Sequence, residues 1–160
     1  MRRAAAAAVG VLCILAGQTG SVSAGTNDQR WLVLTRPGEP THVVATGTVN
    51  ASGTVTDAFT LNPDGTFDNL ATQVFPDGNL FFHASGTFAF TLNPRTCQGE
   101  GDVVGPFEIT GGTGAYEGAS GEGVDRISLH FFFDKTDTGC SPFPARVSGV
   151  TRATGTLTIP

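Results

Sequence analysis

The chain is expected to fold as an all-β protein, an antiparallel up-and-down barrel of about eight strands. Three observations predict this. Segments of alternating apolar and polar residues follow one another from Thr41 to Ile159, with a period of two rather than 3.6. Turn-forming clusters separate them, including Pro63-Asp64-Gly65-Thr66 and Pro76-Asp77-Gly78-Asn79, with proline at the first central position and glycine where φ must be positive. Glycines also recur within the segments, at Gly47, Gly86 and Gly149, where a closing sheet has to bend.

The elements follow in order. Residues 1–24 read as a secretory signal peptide: a basic start (Arg2-Arg3), an apolar run from Ala4 to Ala16, and a small-residue cleavage site at Val22-Ser23-Ala24. The apolar run is shorter than the roughly 20 residues a membrane span requires. Residues 25–40 are expected to be an N-terminal arm, with Trp31-Leu32-Val33-Leu34 as an edge strand, and residues 41–160 the barrel. The expected strands are Thr41–Asn50, Gly53–Asn62, Thr66–Phe75, Asn79–Leu92, Asp102–Thr110, a short one near Ala115–Gly118, Gly121–Asp134 and Ala145–Ile159. Two longer loops, Asn93–Gly101 and Lys135–Pro144, carry Cys97 and Cys140. An exported chain with two cysteines outside its signal predicts one disulfide between them.

Charge narrows the choice of partner. Without Arg2 and Arg3, seven basic residues face fourteen acidic ones, and Lys135 is the only lysine. Such a surface repels phosphate backbones, so nucleic acid is not an expected partner. Nor is a membrane once the signal is cleaved, and the expected location is extracellular or periplasmic. A homo-oligomer is compatible with the sequence.

The most unusual stretch is "ITGGTGAYEGASGEG", Ile109–Gly123, with six glycines in fifteen residues. A phosphate-binding loop needs a Lys-Ser/Thr pair and a following helix. Here Glu122 and a strand follow, and Glu117 adds a second repelling charge. The glycines Gly111, Gly112, Gly114, Gly118 and Gly121 are therefore structural, placed where the backbone turns tightly. No cofactor is expected. No metal is expected either, since His42, His83 and His130 follow no ligand spacing.

The segment Phe107–Gly121, "FEITGGTGAYEGASG", resembles the signature of the allene oxide cyclase and dirigent-like barrels, and bacterial secreted proteins of that kind in particular. The resemblance implies a calycin-like eight-stranded antiparallel barrel. It also implies one of two activities: closing an unstable fatty-acid epoxide into a cyclopentenone, or steering the coupling of phenoxy radicals. Only the glycine signature corresponds residue by residue, so no catalytic residue carries over.

Candidate site residues come instead from polar side chains in phase with apolar ones. Asp57 shares a face with Val55, Phe59 and Leu61; Asp125 shares one with Ile127 and Leu129; Asn69 and Gln73 share one with Phe67 and Phe75. A buried carboxyl has a raised pKa and can act as a general acid or base. Tyr116 is a candidate cap whose hydroxyl reaches the lumen, with packing in the core as the favoured alternative. The leading expectation is a secreted barrel that binds a small apolar ligand. The alternatives are an isomerase of the allene oxide cyclase kind, and an interaction protein whose barrel is filled by its own phenylalanines, such as Phe82, Phe88, Phe90 and Phe131.

Overall fold

Period-two alternation makes each segment a stave with one face turned inward and the other to solvent. The computed structural model describes residues 27–160, where these staves close into an eight-stranded antiparallel barrel with one additional short strand. The strands are β1 (Asp28–Thr35), β2 (Thr41–Gly47), β3 (Ala51–Leu61), β4 (Thr66–Phe75), β5 (Gly78–Thr87), β6 (Ala89–Asn93), β7 (Gln98–Gly112), β8 (Gly121–Thr136) and β9 (Gly139–Thr156). Their order is β5-β4-β3-β2-β1-β9-β8-β7-β6, and pairing of β5 with β7 closes the ring. The expected signal peptide lies outside the described residues.

Three expectations are corrected. Residues 28–35 are not an edge on an arm: β1 pairs with β2 on one side and with β9 on the other. Trp31, Val33 and Gln29 project into the barrel, and this inward apolar parity binds the segment to it. Residues near Ala115–Gly118 do not form a strand but include one turn of 3-10 helix, Gly114–Tyr116. The loops expected to hold the cysteines are tight turns at the tips of long hairpins, because strand pairing runs to Asn93↔Gln98 and to Thr136↔Gly139.

The expected strand Asn79–Leu92 corresponds to β5 and β6, which share one register against β7: Ala84 faces Phe107, and Ala89 faces Asp102. The ladder to β7 lapses between these pairs, a gap that includes Pro106, which has no N–H to give. The Phe88 N–H donates to the Gly65 carbonyl, 3.0 Å away. The disulfide Cys97–Cys140 joins the β6–β7 and β8–β9 hairpin tips, with Cα atoms 5.5 Å apart.

The two ends of the barrel differ. At the lower end, Leu80, Ile109, Leu157, Val49, Ala119, Phe75 and Tyr116 form a closed core. Gln29 seals it by accepting from the Val49 N–H (2.8 Å) and donating to the Val49 carbonyl (3.0 Å). The glycine stretch makes this closure. Gly114 sits at φ +63°, and a Cβ there would collide with the Asp77 carbonyl. Gly118 is also left-handed, at φ +74°. At the upper end the wall is uneven. Pairing of β2 with β3 stops at Thr41↔Val55, and pairing of β1 with β9 stops at Thr35↔Gly149. The β3–β4, β6–β7 and β8–β9 hairpins therefore rise above a low side at the β1–β2 turn.

Candidate functional site

The interior divides at a layer of three aromatic rings. Trp31 packs edge-on against Phe82 (5.5 Å) and Phe107 (5.4 Å), and Phe82 and Phe107 lie 5.7 Å apart. Trp31 is 2% exposed. Burying each such ring contributes about 3 kcal/mol, so this layer is both a plug and a large share of the core.

Above the plug the inward residues mix polar and small side chains with apolar ones, among them Val33, Val43, Val103 and Ile127. The register gives three rows across the wall. One runs Trp31–Ala153–Asp125–Gly105, the second Phe82–Ala71–Asp57, and the third Phe107–Ala84–Asn69–Phe59. Each row starts at a plug aromatic, passes an alanine and reaches a polar side chain. Two carboxyls and one amide thus stand on different sides of the same aromatic floor, with Ala71, Ala84 and Ala153 between each of them and its plug aromatic. Val55, Asn69, Ala71, Asp125, Ile127 and Thr151 all point inward yet keep contact with solvent, and Asp57 is exposed. Solvent therefore reaches the upper half of the lumen at these positions, a cup whose remaining wall, including Val43, Ala84, Val103 and Ala153, is buried.

Phenylalanines surround its rim. Phe67 stacks on Phe59 (5.5 Å), Phe59 meets Phe88 (6.2 Å), and Phe88, Phe90, Phe131 and Phe133 continue the chain at 5.4–6.4 Å. Phe59 remains 48% exposed and Phe90 42%. Phe82, expected as filler, belongs to the plug, whereas Phe88, Phe90 and Phe131 pack on one another near the rim, over Gly99 and Gly101.

Three polar atoms of the interior lack partners. Among the described residues, the buried side-chain atoms with no hydrogen bond are Trp31 Nε1, Asn69 Oδ1 and Gln73 Oε1. Orphaned buried atoms of this kind cost about 1–3 kcal/mol each, which a bound ligand or water would offset. Burial pushes the Asp125 carboxyl up from 3.8 to about 6, because its neighbours Gly105 and Ala153 provide neither charge nor hydrogen bond.

The sequence-derived candidates thus separate into groups. Asp57, Asn69 and Asp125 line the cup. Gln73 lies deeper, 6% exposed, between Val55 and Leu80. Tyr116 lies at the lower end against Phe75 (6.0 Å), its pKa raised by burial and then by Asp77. Sequence reasoning missed Trp31 as floor and the four small residues beside it. Their inward parity was the available signal.

The outer wall carries a second feature, a shallow depression of about 650 Å³ lined by His83, Ser85, Glu108, Glu122 and Thr156. His83 Nε2 is 2.8 Å from Asp68 Oδ2. Glu108 and Glu122 stand opposite one another across β7 and β8. Among the described residues, no group of three or more His, Cys, Asp or Glu side chains is arranged to hold a metal ion.

Comparison with protein-family models, curated proteins and solved structures gives no match.

Proposed function

We propose that this is an exported binding protein that takes a small, largely apolar molecule into the upper half of its barrel. One observation carries the reading: above the Trp31–Phe82–Phe107 floor, the inward-facing Asn69, Ala71 and Asp125 retain solvent contact, while phenylalanines of β3, β6 and β8 flank the opening. Apolar walls with a few convergent polar groups are the usual chemistry of a ligand cavity, and barrels of about eight strands hold one small ligand. The disulfide agrees with an oxidising compartment, and the glycine-rich closure agrees with the resemblance to allene oxide cyclase and dirigent-like barrels.

The test is a titration with N-phenyl-1-naphthylamine, a neutral dye that brightens in apolar sites. The expected result is saturable one-to-one binding that Ala84→Phe abolishes by filling the cup. Absence of saturable binding, or binding untouched by Ala84→Phe, contradicts the reading.

A second reading has its own observation. A carboxyl with a pKa near 6 on a cavity wall is suited to exchange protons at neutral pH, so Asp125 supports an isomerase using the same cup. In that case Asp125→Asn abolishes turnover and leaves ligand affinity nearly unchanged, whereas a pure binder has no turnover to lose.

A further inference from the structure

The cup has an asymmetric electrostatic character. Of the inward residues on β1–β9 between the plug and the rim, two are ionisable, Asp57 and Asp125, and both are acids. No Lys, Arg or His shares that face: His42, His83, Arg126, His130 and Arg152 all alternate outward with their exposed neighbours. Asp125 faces Gly105 on β7 and Ala153 on β9, and on its own strand Gly123 and Ile127 are the nearest inward residues. Nothing among the described residues neutralises it.

On the wall of the cup Asn69 Oδ1 has no partner, and Trp31 Nε1–H is an unpartnered donor in the floor. An amide both donates and accepts, so the two carboxyls set the sign of the site. A positively charged donor complements them. The rim adds faces of Phe59, Phe88, Phe90 and Phe131, which attract cations as well as burying an apolar body. The net negative charge of the chain raises the local concentration of any cation.

We propose that the ligand of the cup is an organic cation, an ammonium group carried on an apolar body, with the ammonium held by Asp125 above Trp31 and the body against the rim phenylalanines. This rests on the reading of the cup as a small-molecule site and specifies the chemical class it takes. A neutral alcohol fills the same volume but leaves Asp125 unpaired. A carboxylate of the same shape meets two like charges.

The experiment uses the signal-free protein and three probes of one shape: octylamine, 1-octanol and octanoate, titrated at pH 7.5. Trp31 is the only tryptophan, so its fluorescence reports directly from the floor of the cup. The expected ranking is octylammonium tighter than octanol by about tenfold or more, as for a hydrogen-bonded charge against a neutral group, with octanoate weakest. Octylammonium affinity should fall as pH drops from 8 to 5, because Asp125 takes up a proton with a pKa near 6 in the free barrel, while octanol affinity stays level. Asp125→Asn should remove the preference for the amine and spare octanol. Equal or tighter binding of octanol or octanoate overturns the inference and leaves the cup standing. Binding of octylamine that neither pH nor Asp125→Asn alters also overturns it. Failure of all three probes to bind refutes the cup itself. The wild-type ranking and pH profile decide the matter even where the variant folds poorly.

Discussion

Asp125→Asn offers a stability test that needs no ligand. In the folded barrel the carboxyl titrates near 6 rather than 3.8, because it is desolvated on the inner wall. The folded state therefore binds this proton more tightly than the unfolded chain does, and the contribution is a cost of keeping the group charged. The cost is absent below about pH 4, where both states are protonated. It grows between pH 4 and 6 and is constant above that. The span from 3.8 to about 6, at about 1.4 kcal/mol per pH unit, sets a ceiling of about 3 kcal/mol. Because the side chain still reaches water through the cup, about 1–2 kcal/mol is expected. Asparagine has the same shape without the charge, so Asp125→Asn should stabilise the protein by that amount at pH 7.5 and be close to neutral at pH 4. Urea unfolding of both proteins at the two pH values measures this directly. A variant that is equally or less stable at pH 7.5, or a difference that does not shrink at pH 4, refutes the assignment of Asp125 as a desolvated, unpaired acid.

Other outcomes follow from the same geometry. Replacing Cys97 and Cys140 by serine should cost about 4 kcal/mol, the chain-entropy value for their separation of 43 residues; hydrogen exchange should show β6 and the β8–β9 tip losing protection first. Gly114→Ala should destabilise by about 1 kcal/mol or more, since φ is +63° and the added methyl meets the Asp77 carbonyl; an unchanged melting temperature would contradict the role given to the glycine stretch. Phe90→Ser at the exposed rim should cost little stability yet weaken binding of N-phenyl-1-naphthylamine, whereas Phe82→Ser in the plug should cost about 3–5 kcal/mol; thermal melts and dye titrations separate the two.

The barrel was legible because its signals are local. Alternation marked the staves, and Pro-Asp-Gly marked the turns at Asp64 and Asp77. Parity placed Asp57, Asn69 and Asp125 on the inward face, where the register puts them. Parity does not say how far along the axis a residue sits. Asp57 points inward but is exposed because β2 ends before it, and that follows from the stagger between strands. Trp31 reads as an edge in the sequence because its segment follows no strand; its partners, Ala45 and Ala153, come later in the chain. Tyr116 packs in the core as its aromatic character suggests, but at the lower end, because a turn of 3-10 helix stands where the pattern suggests a strand. The division of the phenylalanines into plug and rim depends on long-range packing that no local pattern encodes.

The central claim is that the ligand enters the cup above Trp31, not the depression on the outer wall. Chemical-shift mapping during titration with octylamine tests this most directly. The account predicts saturable shifts concentrated at Ala71, Ala84, Gly105, Asp125, Ala153 and the Trp31 indole N–H. Shifts confined to His83, Ser85, Glu108 and Glu122, with the Trp31 indole unmoved, would contradict it.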